Sequence, residues 1–87
     1  MRLIGLERLG GIISVDSDIN IWISAWVAEV SNANWRSGIE LVDAFPRVKC
    51  LDETSYEFPV CGSDNLNIKV TFCFNRGIAV IREVMNK

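Results

Sequence analysis

The spacing of apolar residues changes near residue 46 and divides the chain into two halves. In the first half apolar residues recur every three or four positions, which is typical of one face of an amphipathic helix. The residues of this stripe are Ile19, Trp22, Ile23, Trp26, Val27 and Val30. Asp16, Ser17 and Asp18 precede the stripe and are common helix-start residues. We therefore predict a helix whose stripe faces the core, with a groove for a partner helix as the alternative use of the stripe.

A second, shorter helix is predicted from about Gly38 to Phe45. Ser37 and Glu40 have the spacing of a capping box, in which two side chains bond to backbone amides at the start of a helix. Pro46 ends this helix because it lacks the amide donor that a further helical turn requires. The short apolar run from Arg2 to Leu6 is compatible with either an edge strand or the start of a helix.

From Arg47 onward the apolar period is two, as expected for strands with one buried face. The apolar positions of two such runs are Tyr56, Phe58 and Val60, followed by Ile68, Val70, Phe72 and Phe74. Residues 62–65 and 75–77 supply the turns, and a last strand is predicted over Ile78 to Val84. Because Pro59 has no amide donor, we expect its strand at a sheet edge or at a bulge.

The expected architecture is an α+β fold in which two N-terminal helices pack on an antiparallel sheet of three or four strands. The 87 residues suffice for a single domain, 1–87, with one modest core. A hydrophobic content of 49% with a net charge of −2 excludes a disordered chain. The longest apolar run, Ile21 to Ala28, falls short of the roughly 20 residues that span a membrane, and no secretory hydrophobic region is recognisable. We expect a cytoplasmic protein without a membrane partner.

The residue types exclude several kinds of chemistry. The chain contains no histidine, which removes the commonest metal ligand and the commonest general base. Cys50, Cys61 and Cys73 show no Cys-x-x-Cys spacing, so neither a zinc site nor a disulfide framework is indicated. We expect no metal and no cofactor, thiols that are buried or idle in a reducing compartment, and no histidine-based catalytic triad.

Positive charge collects late in the chain, although the whole sequence is slightly acidic. Residues 65–87 carry four basic side chains against the single acid Glu83. Basic residues at alternate strand positions predict a basic patch on one side of the sheet, formed by Arg47, Lys49, Lys69 and Arg82. The patch is either a phosphate-binding surface or ordinary solvated charge. With a net charge of −2, any contact with nucleic acid has to be local or assisted by a larger assembly.

Two aromatic residues and one arginine have alternative roles. Trp35 either stacks on a base or fills the helix–sheet junction, and Tyr56 either donates a proton or packs in the sheet face; for both, packing is the favoured interpretation. Arg82 either contacts phosphate or forms a salt bridge with Glu57 or Glu83.

Six short segments occur in a characteristic order along the chain. They are Met1–Gly5, Trp22 with Trp26-Val27, Asn34–Ser37, Ala44–Pro46, Tyr56–Val60 and Ile81–Val84. Taken together they resemble the HigB branch of the RelE-type toxins of bacterial type II toxin–antitoxin systems. The resemblance covers nearly all of the chain; its individual motifs are loose, and it is carried by their order and spacing. It implies a RelE-like α+β fold.

The resemblance also implies a function, that of a ribosome-associated, metal-free mRNA endoribonuclease neutralised by an antitoxin protein. Such cleavage needs the RNA 2′-hydroxyl aligned with the phosphate and charge stabilised on the phosphorus oxygens, which arginine and lysine can supply. By the resemblance, the candidates for catalysis are Arg82, Lys69 and Lys87, and those for RNA binding are Arg47, Lys49 and, at a turn, Arg76.

The chain departs from the family pattern at its terminal motif. Lys87 stands where the family has a histidine, the following Tyr-Asp has no counterpart, and Asn67 falls at a family arginine. Lysine keeps the positive charge but is a poor proton shuttle near neutral pH. The alternative function is therefore a catalytically inactive, toxin-like binding module that engages an antitoxin, host or phage protein.

Overall fold

The first half of the chain forms the two predicted helices. In the computed structural model, which describes residues 1–11, 17–62 and 65–86, helix α1 covers Ser17–Asn32 and helix α2 covers Gly38–Ala44. The apolar stripe of α1 faces the core, where Ile23, Trp26 and Val30 are buried. This confirms the core-facing interpretation of the stripe. The predicted start residue Asp16 lies outside the described residues.

The capping box predicted at the start of α2 is wrong, because neither of its two hydrogen bonds is present in the described structure and Glu40 bonds to the residue before the cap. Ser37 has the extended backbone of a cap residue, but its side chain makes no capping hydrogen bond within the described structure. Glu40 does reach back, and its Oε2 accepts a hydrogen bond from the Arg36 amide at 2.5 Å. At the other end α2 stops at Ala44, one residue before the predicted bound, and the Phe45 amide donates to the carbonyl of Leu41 at 2.9 Å.

The sheet of the described chain has five strands, so the expected three or four is wrong. The strands are β1 Arg2–Ile4, β2 Lys49–Cys50, β3 Ser55–Pro59, β4 Leu66–Cys73 and β5 Ile78–Asn86, in the spatial order β1-β5-β4-β3-β2. Strands β3, β4 and β5 form the predicted antiparallel meander. The additional strands are short and lie at the edges: β2 is antiparallel to β3, and β1 is parallel to β5.

The N-terminal run forms an edge strand and then a 3-10 helix over Leu6–Gly11. Gly5, between them, has a positive φ of 93°, and a Cβ at this position would lie 2.9 Å from the carbonyl oxygen of Ile81. Glycine therefore permits the close approach to β5. The amino group of Met1 donates to carbonyl oxygens of Val30 and Ser31 at 3.2 and 3.0 Å, so β1 is held against the end of α1.

A cluster of aromatic rings joins the helices to the sheet. The ring of Phe58 on β3 lies 5.3 Å from that of Trp26 on α1 and 5.1 Å from that of Phe45, which follows α2. The ring of Trp35 meets Phe45 at 5.8 Å and Phe72 at 5.9 Å in edge-to-face geometry. The structure thus confirms the predicted packing of Trp35 at the helix–sheet junction. Tyr56 is buried as well, which confirms that it packs in the core face of the sheet.

Two local expectations need correction, and one predicted turn is confirmed. Strand β3 is not at the sheet edge, because β2 pairs with two of its residues. Pro59 lies beyond those two residues, so its missing amide donor leaves no hydrogen bond to β2 unmade. The second expectation, that the thiols are buried, is wrong, because Cys50, Cys61 and Cys73 are all exposed. The turn over residues 75–77 forms with Gly77 at a φ of 65°, whereas part of the turn at 62–65 lies outside the described residues.

We predict that Phe58→Ala lowers the free energy of unfolding by about 3–5 kcal/mol, because the buried ring contacts both helical segments. Urea unfolding followed by tryptophan fluorescence measures the loss. Ile39→Ala, at a residue that is 76% exposed, is the control and should change the free energy by less than about 0.5 kcal/mol. If Phe58→Ala does not fold, Phe58→Leu gives the same comparison; equal stabilities of Phe58→Leu and wild type would contradict the prediction.

We predict that Tyr56, the one tyrosine of the chain, titrates above its ordinary value. Burial raises the pKa of Tyr56, and the neighbouring Cys50 thiol raises it further. Because the folded pKa lies above the unfolded one, this contribution to stability is complete below pH 10.0 and is lost as the pH rises through the folded pKa. Absorbance at 295 nm reports the phenolate directly. A folded midpoint no higher than that of the chain in urea would refute the prediction.

Candidate nucleic-acid interface

The candidate site lies on the face of the sheet that points away from the helices. Along β4 the buried residues Ile68, Val70 and Phe72 face the aromatic core. The alternate positions, which include Lys69 and Thr71, belong to the opposite face, called here the outer face. The predicted orientation of Lys69, away from the aromatic core, is confirmed.

A row of charged residues crosses the outer face from strand to strand, and we call it the charge ladder. In the strand register Lys49 lies opposite Glu57, Glu57 opposite Lys69, and Lys69 opposite Glu83. Directly opposed side chains in an antiparallel pair have Cβ atoms about 4.5–5.5 Å apart. The ladder therefore brings charges of alternating sign into contact range across four strands.

Arg82 joins the charge ladder through a bulge in β5. The register shifts there, so that Val70 opposes Ile81 while Lys69 opposes Glu83. Arg82 is the additional residue of the bulge and is exposed next to Glu83. In such a bulge two residues share one partner, which places Arg82 close to Lys69.

The charge ladder largely neutralises itself. Three cations oppose two carboxylates, which leaves one excess positive charge. Glu57 keeps only 7% of its surface exposed and is flanked in register by Lys49 on one side and Lys69 on the other. Each lysine of the ladder thus faces a carboxylate, and only the exposed Arg82 extends from the bulge toward solvent. The sequence named Glu57 only as an alternative partner of Arg82, and its position between Lys49 and Lys69 follows from the strand register.

The other predicted residues lie away from the ladder. Arg47 follows α2 and lines an apolar cleft near Gly62. Arg76 is exposed in the turn between β4 and β5. Lys87 lies outside the described residues. Of the six predicted residues, the structure therefore brings together Lys49, Lys69 and Arg82.

A second cationic feature, which we call the arginine groove, lies at the end of the sheet formed by the β4–β5 turn. It is a cavity of about 710 Å³ lined by Met1, Arg2, Ser31, Asn34, Trp35, Arg36, Phe74 and Gly77. The described lining contains two arginines and two aromatic rings but no acidic side chain. Such a set can stack a flat base and bind a phosphate.

Strand pairing explains why the sequence did not reveal the arginine groove. Arg2 and Arg36 are far apart in the chain, and β1 pairs in parallel with β5 in a connection that local periodicity does not specify. The Arg2 amide donates to the carbonyl of Gly77 at 2.7 Å, which fixes Arg2 beside the β4–β5 turn. The signal available in the sequence was the mixture of arginine and tryptophan in Trp35-Arg36.

The arginine groove borders the outer face only through Arg2, because its rings Trp35 and Phe74 pack against the core on the helix side of the sheet. Arg2 pairs with Ile78, which in turn pairs with Cys73 on β4. Cys73 lies four residues from Lys69 on the same face of the strand, which corresponds to about 13 Å at the usual rise of a strand. Arg2 is therefore the residue through which the groove meets the face that carries the charge ladder.

Neither helix of the described chain is long and apolar enough to cross a membrane. Within the described ranges, no group of three or more cysteine or acidic side chains is arranged to hold a metal ion.

No protein-family model matches this chain, and no curated protein is significantly similar to it. The RelE-like assignment therefore stays a prediction, based on the ordered segments of the sequence.

We predict a stabilising coupling between Glu57 and Lys69 within the charge ladder. Lys69→Met removes the cation that lies opposite both the buried Glu57 and Glu83. The loss of this attraction should lower the free energy of unfolding by about 1–3 kcal/mol. Glu57→Leu and the double variant complete a double-mutant cycle measured by urea unfolding. Arg76→Met is the control for loss of one exposed charge. Additive effects of the two ladder substitutions would contradict the coupling.

Proposed function

We propose that this chain binds single-stranded RNA in the arginine groove and cleaves it at the outer face as a HigB-like mRNA endoribonuclease, associated with the ribosome in the cytoplasm. The observation that carries the proposal is the arginine groove, which combines Arg2 and Arg36 with Trp35 and Phe74 on a surface without acidic lining. Arginine binds phosphate through two parallel hydrogen bonds, and aromatic rings stack on unpaired bases.

RNA bound in this way crosses from the arginine groove to the charge ladder. A base stacks against the half-buried Trp35 or Phe74, while Arg2 and Arg36 contact the phosphates beside it. The backbone then extends along β4 toward Lys69 and Arg82. Because the net charge of the chain is −2, binding depends on these local cations, and the ribosome supplies the remaining interactions.

Cleavage would occur at the charge ladder. The 2′-oxygen of the RNA attacks the adjacent phosphorus, the P–O5′ bond breaks, and the products are a 2′,3′-cyclic phosphate and a 5′-hydroxyl. Arg82 stabilises the charge on the phosphorus oxygens, Glu57 accepts the 2′-hydroxyl proton, and Lys69 donates a proton to the leaving oxygen. This assignment needs the lysine side chains to move aside, because only 7% of Glu57 is exposed.

The same burial favours a second candidate function, RNA binding without cleavage. A buried carboxylate that lies opposite Lys49 and Lys69 in the strand register attracts those lysines and is removed from the substrate. In this case the chain is the toxin-like binding module, and the arginine groove alone accounts for its contact with RNA.

A protein partner is part of both candidates, and the surface around α2 supports one. Ile39 is 76% exposed, and Val42 and Leu51 are also exposed. A groove of about 400 Å³ runs beside Ile39 and Val42 to Cys50 and Tyr56. Exposed acids border this surface, among them Asp43. An antitoxin segment that combines apolar and basic side chains would complement it in shape and charge.

We predict that the double variant Arg2→Ala/Arg36→Ala binds a labelled, unstructured 12-nucleotide RNA at least about tenfold more weakly than wild type, which corresponds to about 1.4 kcal/mol. Fluorescence anisotropy at several salt concentrations measures this, and the salt dependence should decrease as phosphate contacts are lost. Arg8→Ala, at an exposed arginine of the 3-10 helix, is the matched control for charge. Equal losses in the double variant and in Arg8→Ala would reject the arginine groove as an RNA site.

We predict that Arg82→Ala and Glu57→Gln abolish cleavage while retaining RNA binding. Inducible expression in bacteria, with mapping of message 5′ ends, should show growth arrest and new 5′ ends for wild type only. Circular dichroism of the purified variants confirms that they fold. Cleavage that persists in Glu57→Gln would overturn the proton-transfer assignment. Intact messages with wild type, together with RNA binding that requires the arginine groove, would identify the binding module.

A further inference from the structure

An apolar cleft lies at the opposite end of the sheet from the arginine groove. Its volume is about 310 Å³, within the range of small-molecule sites. Five parts of the chain form its walls: α1, the last residue of α2, the segment after α2, the end of β3 and the short 3-10 helix that follows β3. The lining residues are Trp22, Ala44, Phe45, Pro46, Arg47, Val48, Phe58, Pro59 and Gly62.

The cleft is open because β2 is short. Strand β2 pairs only with Glu57 and Tyr56, so no neighbouring strand covers the β3 residues Phe58 and Pro59. Pro59 offers no amide donor to an added strand, and Pro46 turns the preceding chain away. The cleft therefore stays uncovered because Pro46 and Pro59 both prevent β2 from being longer than two residues.

The walls of the cleft are flat and apolar. Phe45 and Phe58 meet at 5.1 Å with their planes at 89°; because Phe58 is only 1% exposed, the half-buried rings of Phe45 and Trp22 form the accessible aromatic walls. Trp22 stacks on Trp26 with ring centroids 6.2 Å apart and an interplanar angle of 12°, so its orientation is fixed by the core. Rigid aromatic walls of this kind select flat, apolar ligands.

Arg47 is the single charged side chain among the described residues that line the cleft. Its position depends on Gly62, since a Cβ at Gly62 would lie 2.9 Å from the Arg47 Nη1 atom. Gly62 has a φ of 73°, and the preceding Cys61 has a φ of 54°, a conformation that is costly for a residue with a side chain. The backbone is thus arranged so that the guanidinium lies against it at the edge of the cleft.

We infer that this cleft binds a small molecule consisting of a flat apolar ring that carries one anionic group, a carboxylate or a phosphate. The ring enters between Trp22, Phe45 and Phe58, and the anion pairs with the Arg47 guanidinium. The site is separate from the arginine groove and does not depend on RNA binding. In this inference Arg47 binds the anionic group of the small molecule and is no longer a candidate for RNA binding.

The test uses 2-naphthoate, 1-naphthyl phosphate and the uncharged 2-naphthamide as probes. Each is titrated into the ¹⁵N-labelled chain while the indole N–H resonance of Trp22 is followed, with Trp22→Phe used to assign the signal. We expect saturable shifts with both anions and at least fivefold weaker binding of the amide. The two anionic probes decide which anion the site prefers.

Two variants identify the role of Arg47. In Arg47→Gln the affinities for 2-naphthoate and 2-naphthamide should become equal. Gly62→Ala displaces the guanidinium and should also reduce the difference between these two affinities. Arg76→Gln should leave the difference in affinity unchanged. Equal affinities for acid and amide in wild type, or the absence of saturable shifts at Trp22, would overturn the inference. RNA binding by the same samples is measured in parallel, so that either proposal can fail alone.

Discussion

The contact between Phe58 and the rings around it determines where both binding surfaces lie. Phe58 touches Trp26 of α1 and Phe45 after α2, and Phe45 in turn holds Trp35. Trp35 is a wall of the arginine groove, whereas Phe45 and Phe58 are walls of the apolar cleft. The core of this small domain and its two candidate sites therefore share the same side chains. A change in this aromatic packing would alter the two cavities together, because each cavity has a wall in the same cluster.

Electrostatics distinguishes the charge ladder on the outer face from the arginine groove at the end of the sheet. In the charge ladder, acids and bases alternate in register from Lys49 to Glu83, and the pairing stabilises the sheet while it reduces the field available to an anion. In the arginine groove the described lining has no carboxylate, and the nearby carboxylate of Glu40 accepts a hydrogen bond from the Arg36 backbone amide. A chain with a net negative charge can thus still present a local cationic surface.

The sequence predicted those parts of the fold that depend on neighbours in the chain. The three- and four-residue period identified α1 and its buried face, and the two-residue period identified the meander and the orientation of Lys69. Features that depend on distant pairing were not predictable: the parallel pairing of β1 with β5, the short strand β2, and the meeting of Arg2 with Arg36. For the same reason the charge ladder was seen as separate basic residues, since the carboxylate of Glu57 enters it only through strand register. The predicted capping box did not form, and Glu40 bonds instead to the amide before the cap residue, so spacing alone does not fix side-chain geometry.

The short edges of the sheet have a consequence for self-association. One border consists of the three residues of β1, which include Arg2, and the other of the two residues of β2, which include Lys49. Beyond β2, the uncovered part of β3 ends in Pro59. Each border thus offers another copy very few backbone groups to pair with, and each carries a residue type that opposes strand addition. Growth of fibrils from the native state is disfavoured at both ends of the sheet, even though nearly half of the sequence is hydrophobic.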